Sequence, residues 1–98
     1  MIEANTPLKV NVRCTAEYWN YIVSVKHPVM GGKEEVVRRV LSEPERIRRS
    51  RIDKDLFLYY RHEERLYCAV ARHAGREGFL ITAYPADKVK EGDEVWTR

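Results

Sequence analysis

The chain has 98 residues, with 18 Lys and Arg against 15 Asp and Glu, a formal net charge of +3 at pH 7. That length allows a single domain over residues 1–98, with its packed part at about 8–96, and excludes a large multidomain enzyme. Hydrophobic residues at 44% are too many for a disordered chain, and the longest apolar runs, such as Leu56-Phe57-Leu58-Tyr59-Tyr60, fall far short of the roughly 20 residues that cross a bilayer.

From the N-terminus, Met1 to Pro7 contains neither the basic nor the apolar segment of a secretory leader, so the expected location is cytoplasmic, with no membrane partner. Residues 8–12 alternate apolar and polar through Leu8, Val10 and Val12, which suits a short extra N-terminal strand. Thr15 is a good N-cap, and Glu17 in the first turn suits the helix dipole. Trp19, Ile22 and Val23 then make one helical stripe. Pro28 disfavours helix at the residue before it, so this helix should end near Lys26 and leave His27 at its C-terminus. Gly31-Gly32 breaks the chain, and a second helix is expected over about 33–43, with Val36, Val37, Val40 and Leu41 inward. Its Glu34–Arg38 and Glu35–Arg39 spacings have the favourable i,i+4 order.

The remainder reads as strand. Four strands are expected at about 46–52, 56–62, 65–72 and 79–84, with a loop at 73–78 and a polar tail from Ala86 that Trp96 pins down. Short connections imply neighbouring antiparallel strands. The expected fold class is therefore α+β, two N-terminal helices packed on one face of a four-stranded antiparallel meander.

The charge is unevenly spread. Arg38, Arg39, Arg46, Arg48, Arg49, Arg51 and Lys54 crowd the middle, whereas Glu91 to Glu94 is acidic. A basic middle fits an anionic partner; the competing reading is a solvated face of salt bridges.

Metal and cofactor chemistry find no motif. His27, His62 and His73 have no metal-ligand spacing, Gly31-Gly32-Lys33 lacks the length of a phosphate loop, and no nucleophile motif is present, so no metal and no cofactor are expected. Cys14 and Cys68 stand far apart and read as small apolar residues in a reducing compartment. What is left lies on the strands. Two helices cover one side of a sheet, so the other side is expected to be partly polar. There Arg48 shares a face with Ser50, Tyr59 with Arg61, and Thr82 and Tyr84 with Leu80. Arg grips phosphate bidentately, Tyr stacks on an unpaired base, and Ser or Thr can reach phosphate or the 2′-OH. His27 is a candidate proton donor, because a helix C-terminus favours imidazolium; the alternative is a histidine that only caps the helix.

Taken in order, Trp19-x-x-Ile22, Lys26-His27-Pro28, Pro44-Glu45-x-Ile47-x-x-Ser50, Leu58-Tyr59-Tyr60-Arg61, Ile81-Thr82-Ala83-Tyr84 and Lys90-Glu91-Gly92-x-x-x-Trp96 resemble phage-associated nuclease-like domains of the barnase/EndoU/colicin/RelE-like superfamily, over residues 15–96. The resemblance implies two helices followed by a four-stranded antiparallel sheet. It also implies toxin-like, metal-independent RNA cleavage, in which the ribose 2′-OH attacks the adjacent phosphate. By position, His27, Arg49, Thr82 and Tyr84 would be the catalytic set, and Arg48, Ser50, Tyr59, Arg61 and Asn20 would contact substrate. Such domains often have a histidine where this chain has Asn20, which can hydrogen-bond but cannot transfer a proton. The implied partners are RNA and an antitoxin or immunity protein, for a monomer or homodimer. An RNA-binding or protein-interaction domain without activity is the alternative.

Overall fold

The computed structural model describes all 98 residues. Strands β1 (Ile2–Asn5) and β2 (Asn11–Cys14) lead into helix α1 (Ala16–Tyr21), which continues as a π-helical turn, Ile22–Lys26, and a 3-10 turn, Pro28–Met30. Helix α2 (Glu34–Ser42) follows, then β3 (Arg46–Arg49), β4 (Leu56–His62), β5 (Leu66–Ala74), β6 (Glu77–Pro85) and β7 (Asp93–Thr97). All seven strands form one mixed sheet in the order β1-β2-β6-β5-β4-β3-β7.

This corrects the expectation of two helices on a four-stranded antiparallel meander. The β3 to β6 segment is flanked on both sides. At one edge β2 runs parallel to β6, pairing Asn11 with Glu77 and Arg13 with Phe79, and β1 pairs antiparallel outside it. At the other edge the expected polar tail becomes β7, paired with β3 through Ile47–Trp96 and Arg49–Asp93. The expected loop over 73–78 shrinks to a tight turn, with Gly75 at φ +63°, because β5 and β6 pair as far as His73–Gly78 and Ala74–Glu77. The added strands are only four or five residues long. Strands this short gain their stability from distant partners rather than from local pattern.

Local chemistry explains the helices. The Thr15 side chain accepts a hydrogen bond from the Tyr18 amide at 3.0 Å and caps α1. The β-branched Ile22, Val23 and Val25 coincide with the widening to a π-turn, closed by the His27 amide donating to the Ile22 carbonyl at 2.8 Å. In α2, Val37, Val40 and Leu41 are buried, as expected, while Val36 is only half-buried. Arg38 pairs with Glu35, and Arg39 reaches across to Glu63 at 2.8 Å instead of its own helix.

Both faces of the sheet are packed. On the helical face, Trp19, Ile22, Met30, Val37, Val40 and Leu41 meet Ile47, Tyr59, Tyr67, Ala69, Leu80 and Ala83. On the opposite face, the connection from β6 to β7, residues 86–92, runs across the sheet as a strap. Its Ala86 and Val89 pack on Tyr60, Cys68 and Val70, and its Lys90 amide donates to the Tyr60 hydroxyl at 3.1 Å.

One irregularity matters for the site. Val70 faces Thr82 but Ala71 faces Leu80, so Ile81 is a bulge in β6. The extra residue breaks the two-residue alternation. Leu80 therefore joins the helical core, and Thr82 and Tyr84 lie on the strap face, not on Leu80's face as the unbroken period implied.

Candidate functional site, the His27–Tyr84 corner

Beyond Phe79, β2 no longer accompanies β6, and α1 with its π-turn lies along the opened edge. The bulged Ile81 presents its carbonyl there. It accepts from the Tyr18 hydroxyl at 2.9 Å and from Lys26 Nζ at 3.1 Å. These bonds moor the π-turn to β6 and bring His27 over its end. The His27 ring lies 5.3 Å from the Tyr84 ring, tilted by 36°. Lys90 Nζ stands 5.2 Å from the centre of the same tyrosine. A cleft of about 240 Å3 opens beside it, lined by Tyr84, Pro85, Ala86, Asp87, Lys88 and Lys90.

The three histidines differ in what holds them. His62 Nδ1 is 2.7 Å from a Glu45 carboxylate oxygen. His73 Nε2 is 2.8 Å from the Tyr59 hydroxyl, and its ring stacks on Phe57 at 3.8 Å. Burial, reinforced by Arg49, pushes the His73 pKa down to about 4, so it is a neutral packing residue at pH 7. His27 is half-buried, and its ring has no hydrogen-bond partner in the protein. It is the imidazole left free to meet a ligand.

Tyr84 brings its ring to the corner, while its hydroxyl lies beside Cys68 and Tyr60 in the strap-face cluster. Burial, and then the neighbouring Cys68, push its phenol far above the usual tyrosine range, so it keeps its proton. Two residues back, the Thr82 hydroxyl is buried and has no hydrogen-bond partner. Both cysteines are buried thiols raised to about 11 by desolvation and are poor nucleophiles.

His27, Thr82 and Tyr84 thus lie at one end of β6 and its covering turn. The other expected site residues do not join them. Arg49 is on the helical face, three strands away, with Nε donating to the Lys54 carbonyl at 2.7 Å and its guanidinium over Phe57. Arg48 is held by Glu94 at 3.4 Å and donates to the Lys90 carbonyl at 3.2 Å. Ser50 Oγ accepts from the Ile52 and Asp53 amides and shapes a turn. Tyr59 is fully buried. Arg61 is fixed by Glu63 at 2.8 Å and by the Glu43 carbonyl at 2.8 Å. Asn20 is exposed on α1, seven residues before His27 and thus roughly 10 Å back along the helix axis.

Five of the seven basic residues in the middle are paired with acids. Arg38 pairs with Glu35, Arg39 with Glu63, Arg46 and Arg48 with Glu94, and Arg51 with Asp93. The basic strand and the acidic tail are sheet neighbours, so their opposite charges meet across β3 and β7. The strap likewise covers much of the sheet face expected to be open and polar. The cations with no acidic partner around the corner are Lys26, Lys88 and Lys90. Sequence reasoning gave no role to Lys88 or Lys90, although Lys90 belongs to the Lys90-Glu91-Gly92 piece of the resemblance. Comparison of the chain with family models, with curated proteins and with solved structures finds no match.

Proposed function

We propose that the protein binds single-stranded RNA at the His27–Tyr84 corner. The observation that carries this reading is the grouping there of a free imidazole, an aromatic ring and the lysines Lys88 and Lys90. Ammonium groups attract a phosphodiester, Tyr84 offers an aromatic ring, and the free imidazole can bind phosphate or a 2′-OH. The nuclease-like resemblance points to the same ligand. Titration of a fluorescent single-stranded RNA tests it: affinity should fall several-fold in Lys90→Ala and decline steeply with salt. Equal affinity for wild type and Lys90→Ala would overturn it.

A second reading, metal-independent endoribonuclease activity, is favoured by the unpartnered ring of His27. In that reading His27 moves the proton during 2′-OH attack on the adjacent phosphate, and Lys90 stabilises the charge that develops on it. Tyr84 contributes its ring as the wall against which His27 lies. Arg49 has no part in it, because it lies at the far end of the other face. Incubation of the purified protein with total RNA and EDTA should give cleavage that is lost in His27→Ala; undiminished cleavage in that variant removes His27 from the reaction. An acidic protein that covers the corner would be the antitoxin or immunity partner implied by the resemblance.

A further inference from the structure

The open edge of β6 borders a second cleft. It measures about 230 Å3 and lies where β6 leaves β2, lined mostly by apolar surface of Cys14, Tyr18, Phe79, Leu80 and Ile81, with Arg13 and Thr15 as its polar members. Phe79 is 55% exposed there, an aromatic ring with much of its surface in solvent. The cleft is smaller than the roughly 300–1,000 Å3 of sites for drug-sized ligands, and fits a single planar ring system. Arg13 is neutralised by Glu3 and Glu77, so the cleft itself suits an uncharged ring more than a phosphate.

Its position identifies the occupant. Phe79 and Tyr84 are five residues apart on one strand, at most about 17 Å at strand rise and less because of the Ile81 bulge between them. Between them sits Lys26, whose ammonium is on the Ile81 carbonyl and 5.8 and 5.7 Å from the Tyr18 and Tyr21 ring centres. An apolar ring site, a cation and the His27–Tyr84 corner therefore follow one another along the edge. That alternation matches a single strand, in which bases and phosphates alternate, and a duplex would keep its bases out of the cleft.

We infer that the Phe79–Tyr18 cleft is a nucleobase subsite of the RNA whose backbone crosses the His27–Tyr84 corner, with Lys26 holding the intervening phosphate. The inference rests on the RNA reading above and adds where the strand runs and which group reads a base. Phe79 supplies the stacking face, and loss of one such stack weakens binding about 5- to 150-fold.

The test is fluorescence anisotropy with a labelled hexauridylate and a labelled diuridylate, on wild type, Phe79→Ala and Lys90→Ala. Phe79 is a surface residue, so its replacement leaves the core intact. The expected result is that both variants weaken the hexamer at least 5-fold, while Phe79→Ala leaves the dimer, which spans the corner alone, unchanged. Wild-type hexamer affinity in Phe79→Ala beside weakened binding in Lys90→Ala overturns the subsite and spares the corner. No binding of either RNA by wild type overturns the corner reading. In that case amide shifts on titration with uridine, a ring without phosphate, decide the cleft: shifts at Arg13, Tyr18 and Phe79 keep it as a ring site, and their absence removes it.

Discussion

The three histidines end in three different settings, and their neighbours in space decide which is which. His73 is the clearest. It is stacked on Phe57 and bonded to Tyr59, and its pKa is pushed down to about 4 from the ordinary 6.5. Above pH 6.5 it is neutral in both folded and unfolded chains. Below that, the unfolded chain takes up a proton that the folded one refuses until about pH 4. Stability contributed by this group is therefore complete above pH 6.5 and is lost as pH falls towards 4. The loss should be on the order of 2 kcal/mol, allowing for partial solvent screening. Urea midpoints between pH 7 and 4 should fall for wild type and fall less for His73→Gln, which keeps a partner for Tyr59 but does not titrate. Parallel curves for the two proteins would show that another group is responsible.

The helix ends were readable because they depend on near neighbours: Thr15 caps the chain three residues on, and Pro28 stops it just before. Thr15→Ala should cost about 1 kcal/mol in thermal or chemical unfolding. His27's contact with Tyr84 could not be read in this way, because it joins residues far apart in sequence.

At the scale of elements, strands reveal themselves when they are long and aromatic. The strand expected over 56–62 is β4, Leu56–His62. The short strands β1 and β7 lack that signal, and the Ile81 bulge is invisible to a two-residue period. Yet the bulge is what frees the Ile81 carbonyl to moor α1 and what turns Thr82 and Tyr84 onto the strap face. The strap depends on Gly92 in turn. A Cβ there would come within 2.9 Å of the Arg49 carbonyl oxygen, a backbone atom that cannot swing aside. Gly92→Ala should therefore destabilise the protein by about 1–3 kcal/mol. It should also raise amide exchange in β7 and at Lys90 before the helical core. Uniform loss of protection throughout the chain would show that the strap is not a separate unit.

Across the whole molecule, a net charge of +3 conceals a cancellation. The basic and acidic stretches that look like separate regions along the chain are adjacent in the sheet: Arg46 and Arg48 of β3 are held by Glu94, and Arg51 just beyond it by Asp93. Composition could reveal the segregation but not the pairing, which depends on β7 crossing to the far edge. Freeing those arginines should create a second, non-specific anion surface. Asp93→Asn with Glu94→Gln should raise RNA affinity at low salt and steepen its salt dependence, measured by filter binding across salt concentrations; unchanged slopes would mean that the pairs do not restrain the arginines.

The same separation provides the most direct test of where RNA is held. Affinity for one single-stranded RNA should be measured at fixed salt for wild type, a Lys88→Ala/Lys90→Ala variant and an Arg48→Ala/Arg49→Ala variant. If the His27–Tyr84 corner is the binding site, the lysine variant loses most of its affinity and the arginine variant retains it. Loss confined to the arginine variant would contradict the assignment and return the site to β3.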